Sequence, residues 1–569
     1  MKKVIQLVAL LLAALFLLTA CGDPTVTPND DTTADTTLGD HTTTGGNDPE
    51  TPPEEEKIGG TVVNVDPDIL YYLSIEQGLL KDGEWDLTDL DKKVIAYFDD
   101  HYKDGGITDL LINIAGAAPF ASDDPDLFDK IDKFNTTEEN GTAVDYSTSV
   151  GVLSTYYIYT ETDIDPFEMW FDYCRELGIN PWISFRMNDV HYADETLGHS
   201  PFGYKARANG WLIGDSRFSY WLNNNSTAGS RYWYEYALDF SVQEVRDNFV
   251  KELDDRLSTY DVYGIELDWH RQIWCFPKDD IENCKYMNEL MDKINEVVEK
   301  YEGIYGHDIK IAARINRDID ENMYFGFDTR YWAENDMIDV IIPSSYYGAS
   351  DSDMPIAKWV EELDKYGVDI WAGLEAEVAA DGKTHSTATL AAFSAQYYSQ
   401  GAKKIYLFNM FRRKASSFNV CSSIENALAY EKRSYVVTES NCTPYGVKGI
   451  EPWDPLPKVI EVNAPYTIVI NHGQLDYEKD VYVFVGAMGV EVTDIDEYLL
   501  TITYNGVECE FVGISTEAYV GERTDYGKVV AYKVPAEAVN SSIKGELVFD
   551  PGMNFTVAYV ELMNGMLSE

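Results

Sequence analysis

From residue 85 to residue 408 the hydrophobic positions alternate between two rhythms: a helical spacing of three and four, and short runs rich in β-branched and aromatic residues. The helical spacing falls at 85–102 (Leu87, Leu90, Val94, Ile95, Tyr97, Phe98), 167–177, 241–260, 281–301, 356–366 and 387–400. The short runs fall at 108–114, 181–186, 234–240, 262–268, 309–315, 337–343, 368–374 and 404–408. Ser241 followed by Glu244 is a capping-box pattern, and Gly178 stops the helix that ends at 177. Eight runs interleaved with helices predict a (β/α)8 TIM-type barrel over residues 57–430 rather than an open doubly wound sheet. No G-x-G-x-x-G follows the first run, which removes support for a dinucleotide fold. Past residue 430 the rhythm changes to short β runs at 466–470, 481–485, 499–504, 529–533, 545–549 and 556–562. These predict a small C-terminal antiparallel β-sandwich over 458–569, with 431–457 as a linker hinged near residues 452–457.

The first twenty residues do not belong to either pattern. Lys2 and Lys3 precede an apolar stretch over residues 4–18, and Leu18-Thr19-Ala20-Cys21 follows, which resembles a bacterial lipoprotein signal peptide (1–20) with its lipobox. The resemblance implies cleavage before Cys21, lipidation of its thiol with palmitate and a chain anchored at the cell surface; an uncleaved membrane helix is the alternative. Residues 22–56 hold ten Asp or Glu and no Lys or Arg among many Thr, Pro and Gly. Such a segment buries too little apolar surface to fold, so 21–56 is expected to be a disordered acidic tether.

With 98 acidic against 44 basic residues and a formal charge of −54, the chain is a poor partner for nucleic acid, which draws on clustered Lys and Arg. A neutral substrate fits better. The six cysteines after Cys21 (Cys174, Cys275, Cys284, Cys421, Cys442, Cys509) show neither C-x-x-C nor zinc-like spacing, so buried thiols are expected, and no metal or other cofactor. Nothing in the sequence speaks to oligomeric state.

Candidate chemistry gathers where the strand-like runs end, because barrels of this type build their sites from the loops after the C-terminal strand ends. The run over 262–268 ends in Glu266, Asp268, Trp269, His270 and Arg271, and the period of two puts Glu266 and Asp268 on one face. Other run ends carry Arg186, Asn188, Asp189 and His191; Arg314 and Asn316; Ser344, Ser345, Tyr346 and Tyr347; Glu375 and Glu377; Asn409 and Arg412. Glycoside hydrolysis needs one carboxylic acid for the leaving oxygen and a second carboxylate as nucleophile or base. Asp268 on the fourth strand and Glu375 on the seventh are the expected pair; Glu266, one step deeper, is expected to hold Arg314 or Arg271 in an ion pair, although it could exchange roles with Asp268. Arg186, Asn188, Asp189, His191, Trp269, Arg271, Arg314, Tyr346 and Asn409 are the expected substrate contacts. The other reading of the same residues is that Glu266 and Asp268 only brace arginines. Trp211, Trp221, Trp233, Trp269 and Trp274 offer flat rings for a pyranose or serve as core. His191 and His270 lack a third placed metal ligand.

The order of motifs resembles the uncharacterised bacterial family 10-like glycosyl hydrolases: GIELDWHR after an amphipathic helix, SFRMNDVH before it, then AARI, and Gly326-Phe327-Asp328 through Trp332 to MIDVIIPS. That resemblance covers most of the barrel and implies a carbohydrate-active barrel with a terminal β-domain. Residues 264–270 also follow the spacing of the D-G-x-D-x-D-x-E motif of family 18 chitinases, but His270 stands at the catalytic glutamate and Tyr263 at the first aspartate. The sequence therefore leads to a surface-anchored glycoside hydrolase, with a non-catalytic carbohydrate-binding lipoprotein as the alternative and a divergent family 18 enzyme behind both.

Overall fold

The computed structural model describes residues 58–66, 77–81, 84–114, 138–139, 142–143, 158, 162–188, 206, 209–213, 237–270, 273–345, 350–379, 383–410, 413–438, 455–488, 500–515, 529–540 and 542–565. Its centre is a closed barrel of eight parallel strands in chain order: β1 (Thr61–Val65), β2 (Ile107–Asn113), β3 (Asn180–Arg186), β4 (Gly264–Asp268), β5 (Lys310–Asn316), β6 (Val340–Ser344), β7 (Asp369–Leu374) and β8 (Lys404–Leu407). Helices α1 (Leu90–His101), α2 (Pro166–Glu176), α3 (Gln243–Thr259), α4 (Cys284–Tyr305), α5 (Asn322–Phe325), α6 (Thr329–Glu334), α7 (Ile356–Leu363) and α8 (Thr387–Tyr398) fill the crossovers, and α9 (Ile424–Ala429) follows β8. The expected (β/α)8 architecture is thus present.

Two segments of the barrel differ from the sequence reading. The first barrel strand is β1, which the reading did not include, and it closes the ring by pairing in parallel with both β8 and β2. Five residues preceded by Gly59 and Gly60 give too short a period to register, and only the two neighbours make the segment a strand. The run at 234–240 is not a barrel strand. In its described part, 237–240, Leu238 makes a single isolated bridge to Leu212 and Phe240 is buried in the main hydrophobic cluster. Segment 181–186 accordingly lies in the third strand, while the fourth to eighth keep their places.

Side-chain caps form at some of the described helices and not at others. Asp165 accepts hydrogen bonds from the Phe167 and Glu168 amides, with Pro166 at the first helical position of α2. The capping box expected at Ser241 is absent, for α3 begins after Val242 without a side-chain cap, and the reciprocal box is found instead at Ser386 and Thr389 of α8. Gly264 is needed for close approach: a Cβ there would stand 2.4 Å from the Trp182 ring and 2.7 Å from the Lys310 carbonyl oxygen.

Alternation along the strands sorts the core. Ile265, Leu267, Ile311, Ala313 and Ile315 face the helices in the main hydrophobic cluster, whereas Val62, Leu111, Trp182, Ala312, Ile342, Trp371, Tyr406 and Phe408 fill the barrel interior. Its N-terminal floor is closed by fully buried Asp109, which accepts from the Trp182 indole and the Asn180 amide at 3.0 Å and pairs with Lys404. The C-terminal mouth is polar.

The C-terminal sandwich has one sheet of β9 (Arg433–Thr438), β10 (Lys458–Ile460), β12 (Val481–Met488), β15 (Glu510–Ser515), β16 (Val529–Val534) and β18 (Phe555–Asn564), and a second of β11 (Tyr466–Asn471), β13 (Leu500–Tyr504), β14 (Val507–Glu508) and β17 (Lys544–Pro551). Strand β9 lies inside the stretch 431–457 read as linker and pairs along its whole length with β18. Its inner face (Tyr435, Val437) joins the sandwich core, while Val436, with Tyr482, Phe484 and Tyr559, joins the barrel's cluster. The first sheet is therefore buried on both faces, which is why β12 reads as an almost unbroken apolar run. Helix α8 is buried from Thr389 to Tyr398 and packs on β9, as a helix apolar all round must. The five described cysteines after Cys21 are buried, with no disulfide among them; Cys442 lies outside the described residues.

Candidate active site

Register brings the inward residues of adjacent strands level: Ser184 with Glu266, Arg186 with Asp268, and Asp268 with Arg314. Glu266 and Asp268 share one face of β4, as their spacing requires, and both are fully buried. Glu266 is the deeper. Its Oε1 accepts the Tyr406 hydroxyl at 2.6 Å, and its Oε2 accepts the Asn64 amide at 2.7 Å; the same amide reaches Ser184 Oγ at 3.0 Å. Burial, and next the negative Asp268 beside it, push Glu266 up to about 7, against the hydrogen bonds and the Arg314 charge that favour its ionised form. Burial likewise raises Tyr406 well above the ordinary phenol range, with Glu266 adding to it.

One layer nearer the mouth, Arg314 lies between the two expected catalytic carboxylates. Its Nη1 is 3.0 Å from Asp268 Oδ1, its Nη2 pairs with Glu375 Oε1, and its Nε donates to Ser344 Oγ at 3.3 Å. The guanidinium stacks over Phe408, 3.7 Å from the ring centre. Burial alone would lower the Arg314 pKa; the Asp268 and Glu375 charges more than offset it and leave it raised. Asp268 Oδ1 also accepts the His270 amide at 3.0 Å, while Asp268 Oδ2 is buried and accepts no hydrogen bond from any described residue. A desolvated, unengaged carboxyl oxygen is costly in a structural core.

The remaining expected contacts divide. Arg186 reaches the mouth, pairing with Asp66, which also accepts from Asn113 at 3.3 Å. Asn409 follows β8 in a left-handed conformation (φ 58°) that asparagine tolerates. Asn188 is a clamp: its amide donates to the Trp274 and Leu238 carbonyls at 3.0 and 3.3 Å and its Oδ1 accepts the Leu238 amide at 2.8 Å. Trp269 is core, 1% exposed and packed against Phe240 and Phe327, because its odd position faces the helices with Ile265 and Leu267. Trp274 is also buried. His270 Nε2 donates to the Ser345 carbonyl at 2.7 Å, and burial, then Arg314, hold its pKa well below the usual range, so the ring is neutral. Asp189, His191, Arg271 and Tyr346 lie outside the described residues, as does Cys21. Asn64, Asp66, Ser184 and Tyr406 were not singled out by the sequence; for Tyr406 the period of two along β8 was the available signal.

No family model matches the chain, and no curated protein matches it. Solved structures similar to it include the glycoside hydrolase domain of PgaB (BpsB) from Bordetella bronchiseptica, at 12% identity over 62% of this chain and 94% of that one, with a TM-score of 0.35. A glycoside hydrolase family 18 N-acetylglucosaminidase from Paenibacillus barengoltzii matches at 9% identity over 65% and 99%, TM-score 0.32. The tryptophan synthase α-subunit of Pyrococcus furiosus, as a mutant, matches at 9% over 66% and 98%, TM-score 0.28. At these values the likeness says nothing about chemistry.

Glu266 makes the pH behaviour of the fold testable. Its folded pKa of about 7 lies above the ordinary 4.5, so its contribution to stability is fully present below that ordinary value and is lost as pH rises through 7. Urea denaturation should therefore show stability falling by roughly 2–3 kcal/mol between pH 5 and pH 8 from this group. Glu266→Gln should flatten that segment of the curve; an unchanged slope in the variant would assign the dependence to another group.

Proposed function

We propose that the barrel hydrolyses a glycosidic bond in an extracytoplasmic glycan, with Asp268, Glu375 and Glu266 as its reacting carboxyls. The observation that carries this is Asp268 Oδ2, a buried oxygen at the mouth with no donor among the described residues, next to a glutamate whose pKa is pushed up to about 7. In this reading Asp268 exchanges the proton with the glycosidic oxygen through Oδ2, Glu266 beneath it shares the pair's proton, and Glu375 faces the anomeric carbon. Arg314 sets the separation of Asp268 and Glu375, and Arg186 and Asn409 orient the sugar. The family 10-like sequence resemblance agrees with this substrate class. Family 18 chemistry is not proposed, since a buried neutral imidazole, His270, stands at the position of its acid.

One observation favours a second reading, a carbohydrate-binding protein without catalysis: Arg314 already engages both carboxylates, one with each terminal nitrogen. Reducing-sugar release from a glycan panel by the fragment from Lys57 onward, with calorimetry on the same glycans, separates the two. Release abolished by Asp268→Asn supports the hydrolase. Binding without release, lost in Arg186→Ala, supports the binding protein.

We also propose that lipid on Cys21 anchors the chain outside the cytoplasm. Metabolic palmitate labelling should depend on that thiol, and label retained in Cys21→Ala sinks the anchor.

A further inference from the structure

We infer that the C-terminal sandwich sets the position of Glu375 through the four residues 350–353, with Ser350 as the positioning residue; the kinetic arm of this inference rests on the role proposed for Glu375. The Ser350 hydroxyl accepts the Glu375 amide at 3.1 Å and donates to the Glu375 carbonyl at 3.2 Å, holding the backbone of that residue from both sides. The Ser350 amide donates to the Glu377 carbonyl at 2.8 Å. His385 completes the arrangement, with Nε2 2.7 Å from Ser350 Oγ. Burial, then Arg413, hold this imidazole neutral, and an Nε2–H that donates to Ser350 leaves the hydroxyl proton free for the Glu375 carbonyl.

The next three residues carry that placement to the sandwich. Asp351, fully buried, pairs with Arg317, three residues beyond Arg314, and its carbonyl accepts the Tyr397 hydroxyl. The Ser352 carbonyl accepts the Gln396 amide of α8 at 2.7 Å. The Asp353 amide donates to Asp351 Oδ1 at 2.7 Å, and its carbonyl accepts Arg317 Nη2 at 2.7 Å. Asp353 Oδ1 in turn accepts the side-chain amide of Asn471, the last residue of β11. A segment held this densely moves as a unit, so a contact made by the sandwich at Asp353 is felt at Ser350 and therefore at Glu375.

The test uses the protein from Lys57 to its end. Hydrogen–deuterium exchange should show the Glu375 amide exchanging about tenfold faster in Asn471→Ala and in Ser350→Ala, the change expected for loss of one buried hydrogen bond. On a glycan the parent protein cleaves, both should lower kcat by about tenfold with KM changed less than about twofold, since misplacing a reacting group weakens transition-state contacts more than ground-state ones. Asp353→Asn keeps the acceptor oxygen and should behave as the parent in both measurements. Parent-like exchange at Glu375 in Asn471→Ala, in a protein that is still folded, overturns the coupling whatever the activity. Faster exchange with unchanged kcat keeps the coupling and removes Glu375 from the chemistry.

Discussion

Arg314→Leu is expected to lower stability by about 3–5 kcal/mol at neutral pH, because it strands two carboxylates that share one buried guanidinium. Arg314 is 1% exposed, and neither Asp268 nor Glu375 has an escape to solvent, at 1% and 5%. Without the cation, the desolvation cost and the negative charge of the other carboxylate lose their main offset, which favours the protonated form of the pair in the folded variant. A group shifted in that direction stabilises the fold below its unfolded pKa and loses that contribution as pH rises through its folded pKa. The variant should therefore recover much of its deficit on acidification, which denaturation midpoints from pH 5 to pH 8 will register. Arg314→Lys should fall between, since a point charge on a flexible stem cannot span both partners as a planar fork does. A loss under about 1 kcal/mol in Arg314→Leu would mean that solvent reaches the triad.

Asp268→Asn is expected to lower kcat by roughly 10²–10⁴-fold on a cleaved glycan while KM changes little, the signature of a group that acts in the transition state. The substitution preserves shape, and Arg314 keeps Glu375 as partner, so thermal unfolding should shift far less than in Arg314→Leu. A second readout separates chemistry from structure. Asp268 is the charge that, after burial, raises Glu266. Its neutralisation should bring Glu266 back toward the ordinary carboxylate range and move the pH-dependent segment of the stability curve to lower pH. Turnover like that of the parent, on a substrate already established, would take Asp268 out of the reaction and leave Glu266 as the next carboxyl to examine.

Local periodicity by itself determined much of this protein. The alternation of helical and strand-like runs specified the barrel, and the period of two placed Glu266 and Asp268 on one face of β4, because both rules depend only on residues a few positions apart. The same rule, applied one residue further, puts Trp269 with Ile265 and Leu267 in the helix-facing core, although its composition and position at a strand end suggested a sugar platform. Strand β1 was illegible for a physical reason: a five-residue strand acquires its identity from pairing with β8 and β2, partners far away in the chain. Strand β9 was hidden likewise, since only β18, more than a hundred residues on, makes it part of a sheet. The environment of Glu266 belongs to this second kind. Asn64 stands 202 residues from it and Tyr406 stands 140, and no local pattern links such positions until the ring closes. Whether Asp268 and Glu375 face each other across open space or across an arginine was equally a tertiary matter. Spacing assigns a side chain to a face, but the partner that sets its charge is chosen by register between strands and by burial, which exist only once the barrel has formed.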